Sequence, residues 1–485
     1  MSVRRLLTIV MLSVMATSAV SAADYIWLIG GGASLQSSQG QIEANVKWER
    51  EVFLRQAKNA KLKIFYTDGD KPEKDVIVWR HPVEAAATLQ PLARVFDAQT
   101  HNGESFHSHT VPGVAGGTRA DELVGKLRKE FTLPARGDRV LLVFYGHGTY
   151  EGDDVGRNAL RLWGNTLLPA RDLESLLSVI DPDVPVRFVL PQCYSGGFKR
   201  VMHPRGDDTR ELVRHNRCGF MSVPEDQESE GCSPSINVGD FRDYSTYFFA
   251  ALDGRSRLGV KLPQPNADLD GNGVVTLREA HLYSIAAAVS TDSPRSTSEV
   301  FLEDWQPWYL RWITYGSEPD NLYQQLASQV AVANSLPPAG RALVDALEQA
   351  RRQTYNERRA LKLERKEIKN SVKPLQETLR TDLSARWPEA LYPYTLNFNK
   401  FLQNQLGPAQ AFIMRHAAYA PLVSQQERIL QLDTSILAAE RKLAQFDKIR
   451  RMRKLARILD QFGRVASEQE RVSYQRLLSC EETRL

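Results

Sequence analysis

Beyond its N-terminal segment the chain lacks any long hydrophobic run. None of its 485 residues lies in a later apolar stretch approaching the ~18 needed to cross a bilayer, so no transmembrane segment is expected in the mature protein. Cysteine is scarce, four in all, and none stands where an N-terminal leader would end, which argues against a lipid-anchored product. A dominant charge is also missing: Lys plus Arg number 62 against 58 Asp plus Glu, net +4, and no nucleic-acid partner is expected. Gly30, Gly31 and Gly32 follow an apolar run, but position 35 is Leu, so the third glycine of a dinucleotide fingerprint is absent and no nucleotide cofactor is expected. His101, His107 and His109 lie close together without a cysteine or carboxylate to complete a zinc pattern, and they read as part of a polar loop.

What is present begins with an export signal. Residues 1–5 carry two positive charges, residues 6–15 are apolar and residues 16–23 are rich in small side chains, the order of a secretory signal peptide cleaved after Ala22 or Ala23. The mature protein is therefore expected to be exported, periplasmic or secreted. In an oxidising compartment Cys218 and Cys232 would close a short loop, and a disulfide there would contribute about 3 kcal/mol. Cys193 is then left free, and Cys480 has no evident partner within the chain; it is free or pairs between chains. With 42% hydrophobic and 25% charged residues, the composition is that of a globular protein. The length calls for two or more domains.

Residues 25–29, 62–66, 139–145 and 186–190 are apolar runs of strand length, and residues 41–56, 120–131 and 170–180 have helical spacing. Repeated strand–helix–strand units imply a mostly parallel sheet with helices on both faces, and residues 100–118 read as a long surface loop. Two of the runs end alike: R-V-L-L-V-F-Y-G-H-G delivers His147 and Gly148, and V-R-F-V-L-P-Q-C-Y-S-G-G delivers Cys193. Ligands bind beyond the carboxyl ends of parallel strands, so one sheet would bring a base and a nucleophile to one cleft. Cysteine attacks as thiolate and is commonly activated by histidine. The N–H groups of Gly148 and Cys193 would form an oxyanion hole.

An apolar strand ending in His147-Gly148, and another ending in Gln192-Cys193 with Gly196 after it, resembles the caspase, legumain and gingipain superfamily of cysteine peptidases, most closely bacterial exported legumain-like caspase-domain proteins. The resemblance spans about residues 24–314. It implies a caspase-like three-layer α/β sandwich, a His147/Cys193 dyad and hydrolysis of peptide bonds in a protein or peptide substrate. The segment P-Q-C-Y-S-G departs from the caspase Q-A-C-x-G pattern and leaves an aspartate preference unsupported. Relatives build a wall of the primary specificity pocket where this chain has G-F-M-S-V-P-E-D-Q-E-S-E-G-C. With Gln192, its Glu225 and Asp226, and further along Glu228 and Glu230, are candidates for reading a basic side chain, against the plainer reading of a solvated acidic loop.

A second motif, D-L-D-G-N-G-V-V-T-L-R-E from Asp268 to Glu279, matches an EF-hand loop. Its ligands to a structural Ca2+ would be Asp268, Asp270, Asn272, the Val274 carbonyl, Thr276 and Glu279. A helix is expected after it over residues 276–289, whereas Pro263 and Pro265 make an entering helix doubtful.

Residues 318–485 differ in character from the peptidase-like residues 24–317. From residue 321 onward there are 27 Lys plus Arg against 17 Asp plus Glu. Residues 341–372 and 424–462 are nearly free of Gly and Pro, and Ile429, Leu432, Ile436, Ala439, Leu443 and Phe446 follow a heptad pattern. An all-α, coiled-coil-like region is expected, serving as a tether or a self-association surface. The basic run at residues 448–454 reads as a solvated helix face. Two rival readings of the whole remain open: a catalytically silent caspase-like binding module working through its helical tail, and a peptide ligase that uses the same dyad.

Overall fold

The computed structural model describes residues 22–79, 83–84, 88–97, 100–101, 104–150, 157–231, 237–262, 267–312, 318–392 and 395–485. The signal segment up to residue 21, Cys232, Pro263 and Pro265 lie outside them. The strands are β1 (Asp24–Gly31), β2 (Lys61–Tyr66), β3 (Val76–Trp79), β4 (Val83–Glu84), β5 (Thr100–His101), β6 (Glu104–His107), β7 (Val114–Gly116), β8 (Arg139–Thr149), β9 (Ala159–Leu162), β10 (Thr166–Pro169), β11 (Val186–Leu190), β12 (Arg217–Met221) and β13 (Arg295–Ser296). The main sheet runs β13-β12-β11-β8-β1-β2-β7. Along that order every neighbouring pair is parallel except β12 with β13, and off it β9 pairs antiparallel with β8 and β10 with β9.

Side chains along a strand alternate between faces, and here both faces are buried. Tyr25, Trp27 and Ile29 of β1 enter one core with Leu142, Phe144 and Phe188. Ile26 and Leu28 enter the other with Leu141, Val143 and Tyr145. The first core is covered by α3 (Ala120–Glu130) and α4 (Ala170–Leu177). The second is covered by α1 (Gly40–Gln56), α5 (Tyr244–Asp253) and α6 (Leu277–Ala287). This is an α/β architecture around a mixed, mostly parallel sheet. Residues 100–118 are not one long loop: β6 pairs antiparallel with β3, and β7 adds a parallel edge to β2. β6 is short and largely polar and β7 is only the three residues V-A-G, so local apolar patterning does not reveal them.

The C-terminal region is helical as expected. The long helices α9 (Gly340–Arg386) and α12 (Tyr419–Val465) form an antiparallel hairpin. Arg351–Asp447 at 2.9 Å, Lys362–Glu440 at 2.6 Å and Arg428–Glu364 at 2.7 Å tie the pair together. Leu432, Ile436, Ala439, Leu443 and Phe446 are buried, so the heptad face is satisfied inside one chain. Smaller helices surround the hairpin: α2 (Gln90–Val95), α7 (Thr297–Trp305), α8 (Leu322–Ala333), α10 (Leu396–Asn404), α11 (Leu406–Arg415) and α13 (Glu468–Glu481).

The cysteine expectation is corrected. Cys218 bonds to Cys480, not to Cys232, and Cys480 has its partner within the chain. The reason is packing: Cys218 sits on the buried strand β12, and α13 lies across that strand with Leu477 in the sheet's core and Cys480 buried. Glu481 caps α7, accepting bonds from the Thr297 hydroxyl at 2.9 Å and from the Ser298 N–H at 2.7 Å. The carbonyl of Thr483 accepts the Leu277 N–H at 2.9 Å, and that of Arg484 accepts Arg187 Nη1 at 3.1 Å. The tail is thus built into the α/β unit and is not merely appended to it.

Candidate functional site

β8 and β11 are parallel neighbours, paired from Val140↔Val186 to Val143↔Val189. His147 and Cys193 lie the same number of residues past the last of these pairs, so both emerge at the carboxyl edge of the sheet. Gly148 faces the Cys193 turn closely: a Cβ built at Gly148 would run into the Cys193 carbonyl oxygen and stand 3.2 Å from Cγ of Gln192. One detail differs from expectation. β8 does not stop at its histidine; it continues to Thr149 and pairs antiparallel with β9 (His147↔Arg161, Gly148↔Leu160). The imidazole is therefore carried on extended, hydrogen-bonded backbone. Cys193 sits in a turn beyond β11, followed by Tyr194 in the left-handed region at φ 58°.

Nε2 of His147 lies 2.8 Å from the Ser37 carbonyl oxygen and 2.8 Å from Oε1 of Gln39. A carbonyl only accepts, so Nε2 carries the hydrogen and Nδ1 is the basic nitrogen of the neutral ring. Burial lowers the His147 pKa and Arg161 adds to that, while the bond to Ser37 opposes it. Cys193 is free. Its Sγ accepts the Ser229 N–H at 3.2 Å and faces the Ser229 carbonyl oxygen at 3.8 Å. Burial pushes the thiol up; the Ser229 N–H opposes this, and Glu228 and Asp292 reinforce it. Both shifts favour the uncharged forms, an imidazole at His147 and a thiol at Cys193.

The segment around Ser229 is fastened from several sides. Tyr194 N–H donates to Gln227 O at 2.7 Å, and Nδ2 of Asn158 donates to Tyr194 O at 3.1 Å and Glu225 O at 2.8 Å. The Glu230 N–H donates to Oδ1 of Asp292 at 2.8 Å, and its carboxylate accepts Nε of Arg441, from α12, at 2.9 Å. Of the acidic candidates, Glu230 is turned inward by Arg441, Ser290 and Thr291, and Glu228 accepts the Tyr194 hydroxyl at 3.1 Å. Glu225 is half-buried and Asp226 is exposed. Gln192 is 2% exposed, and neither its Nε2 nor its Oε1 has a partner among the described residues.

The acidic loop after residue 267 brings Asp268, Asp270 and Glu279 together, with one oxygen of each within 4.8 Å of the others. Oδ1 and Oδ2 of Asp268 accept the N–H groups of Asn272 at 3.1 Å and Gly273 at 2.8 Å. The Asn272 Oδ1 accepts the Val274 N–H at 2.8 Å. Thr276 is the N-cap of α6 and is paired reciprocally with Glu279. The helix after the loop runs from Leu277 to Ala287, slightly shorter than expected. No helix among the described residues leads directly into the loop.

Sequence reasoning missed Ser37 and Gln39, which hold the imidazole, and Ser229, Asn158 and Arg441, which shape the sulfur's surroundings. Each acts through a backbone group or a partner distant in sequence, and no local motif marks it. No helix among the described residues is long and apolar enough to cross a membrane. No family model matches this chain, and no curated protein matches it. Among solved structures, the crystal structure of protein GSU0716 from Geobacter sulfurreducens is similar at a TM-score of 0.31 and 10% identity, over 57% of this chain and 92% of that one.

Proposed function

We propose that this chain is an exported cysteine endopeptidase of the caspase, legumain and gingipain type, with Cys193 as nucleophile and His147 as base and acid. The observation that carries the reading is the β8–β11 register, which leads both residues to one sheet edge with Gly148 against the Cys193 carbonyl. In the reaction Nδ1 of His147 takes the thiol proton while Sγ attacks the scissile carbonyl carbon. The N–H groups of Gly148 and Cys193 stabilise the oxyanion. The leaving amine collects the proton from His147, and water hydrolyses the thioester. Gln192, whose buried amide has no partner among the described residues, is a ready donor and acceptor for substrate, and Glu225 and Asp226 favour a basic side chain. Export agrees with the buried Cys218–Cys480 disulfide.

The test is labelling of the full chain by a thiol-directed peptidyl electrophile, read by mass spectrometry. Modification at Cys193, slowed about 10²–10⁴-fold in His147→Ala, supports the dyad. A folded protein left unlabelled at Cys193 sinks it and favours the silent binding module. An added acceptor amine separates hydrolase from ligase, and a panel of basic and acidic P1 residues tests Glu225 and Asp226.

The acidic loop fits a hard divalent cation, and we assign it to structural Ca2+ held by Asp268, Asp270, Asn272, the Val274 carbonyl and Glu279, with Thr276 reaching through water. Binding would raise the melting temperature. Asp268→Asn should erase the Ca2+-dependent part of that rise, and a rise that persists in this variant would count against the site.

A further inference from the structure

A second cluster of chemistry-bearing side chains lies near the same end of the sheet. Asp68 follows β2, Asp75 precedes β3 and His109 follows β6, and one ligand-type atom of each lies within 4.8 Å of the others. The histidine set aside in the sequence for want of a carboxylate has two, supplied from upstream segments that only the fold brings near.

The three residues are arranged unequally. Asp75 is fully buried; its Oδ1 accepts the His109 backbone N–H at 2.6 Å, and its Oδ2 lies 2.7 Å from Nδ1 of His109 and also accepts the Thr67 hydroxyl. A carboxylate takes only a donor, so Nδ1 of His109 carries hydrogen and the lone pair of the neutral ring is on Nε2. That is how metal-binding histidines are commonly held. Asp68 is 8% exposed, and its shielded Oδ1 has no hydrogen-bond partner among the described residues. A buried carboxylate oxygen without a donor is costly. Burial and the Asp75 carboxylate push the Asp68 carboxyl up to about 6, although Lys71 and His109 oppose the shift.

We propose that Asp68, His109 and Asp75 form a site for a first-row divalent cation of the zinc or manganese class, with water completing the coordination. Asp68 and the His109 imidazole are the direct ligands, and Asp75 orients the imidazole or shares an oxygen. A mixed imidazole and carboxylate set suits these ions better than Ca2+. Neighbouring ligand atoms in a tetrahedral shell with ~2.1 Å bonds stand about 3.4 Å apart, so the three atoms, each within 4.8 Å of the others, would draw together as an ion binds.

The ion would join three segments: the end of β2, the start of β3 and the exit of β6. β3 in turn grips the piece of chain that holds the candidate base. The Ile77 N–H donates to the Ser38 carbonyl at 2.9 Å, and Gln39 bridges Ile77. Ser37 and Gln39 are the two residues bonded to His147. Bound metal would therefore brace the imidazole's support, a consequence that rests on His147 being the base, whereas the site itself does not.

The experiment uses the full chain, stripped with chelator and held in excess Ca2+ so that the acidic loop is saturated. Zn2+ and Mn2+ are then titrated separately by calorimetry. One equivalent of either is expected, weakened at least tenfold in Asp68→Asn and in His109→Gln and unchanged in Asp268→Asn. Absorption-edge spectroscopy of the Zn2+-loaded wild type, which needs no variant to fold, should show one imidazole among oxygen ligands. The proposal is overturned if neither metal binds, if binding survives both substitutions, if it moves with Asp268→Asn, or if the bound zinc has no imidazole. None of these readouts depends on peptidase activity.

Discussion

Replacing Gly148 with alanine tests the close approach of the histidine strand to the cysteine turn. The new Cβ would fall about 1 Å inside the 3.0 Å that real Cβ atoms keep from other atoms, against the Cys193 carbonyl oxygen. Neither side can yield easily. Gly148 is paired with Leu160 in the β8–β9 ladder, and the cysteine turn is fastened through Tyr194 N–H to Gln227 and through Sγ to Ser229. Overpacking of this kind costs about 1–3 kcal/mol, and misplacing a reacting group by ~1 Å costs about 10²-fold in rate. Gly148→Ala should therefore fold with a lowered denaturation midpoint and label with a peptidyl electrophile about 10²-fold more slowly. The assay is the second-order labelling rate at Cys193, measured beside urea unfolding. Wild-type values for both would mean that Gly148 and Cys193 are not held together in solution, and the shared edge would lose its support.

The Cys218–Cys480 bond spans 262 residues of sequence, and a loop of that length gives roughly 5 kcal/mol of stabilisation in the chain-entropy picture. Cys218→Ser should accordingly lower the urea midpoint sharply and uncouple α13 in hydrogen exchange; an unchanged midpoint would refute the assignment. Burial raises the Cys193 thiol, so alkylation by iodoacetamide should climb with pH through a midpoint above the ordinary ~8.5. A midpoint below 7 would show a preformed thiolate. His147 is lowered by burial. Its folded-state preference for the neutral form therefore stabilises above about 6.5, and that contribution is lost as pH falls through the lowered value. In His147→Gln the corresponding acid-side loss in a pH series of unfolding midpoints should disappear.

The parts of this architecture that could be read from sequence are those whose signals are local. β1, β8 and β11 are continuous apolar runs, and such runs are strands buried on both faces. α12 showed its heptad face directly. What escaped depended on pairing at a distance. β6 and β7 are only four and three residues long, and they exist because β3 and β2 offer them edges. Cys480 meets Cys218 only because α13 lies across β12, a relation for which a sequence separation of 262 gives no cue. For the same reason the sequence named His147 and Cys193 but not Ser37, Gln39 or Ser229. The first two are reactive side chains at strand ends, whereas Ser37 and Ser229 act through backbone atoms and Gln39 through an amide oxygen, all placed only by the tertiary structure. Asp68 and Asp75 belong with these: ordinary acidic residues in sequence, they become interesting only beside His109.

The docking of α13 has a consequence for how the molecule is made. Strand β12 is covered, and α7 is capped, by residues synthesised near position 480. A polypeptide shortened ahead of that helix would leave β12 bare on this face and the amino end of α7 without its carboxylate, so the last turns of the chain close a layer begun by strands far upstream.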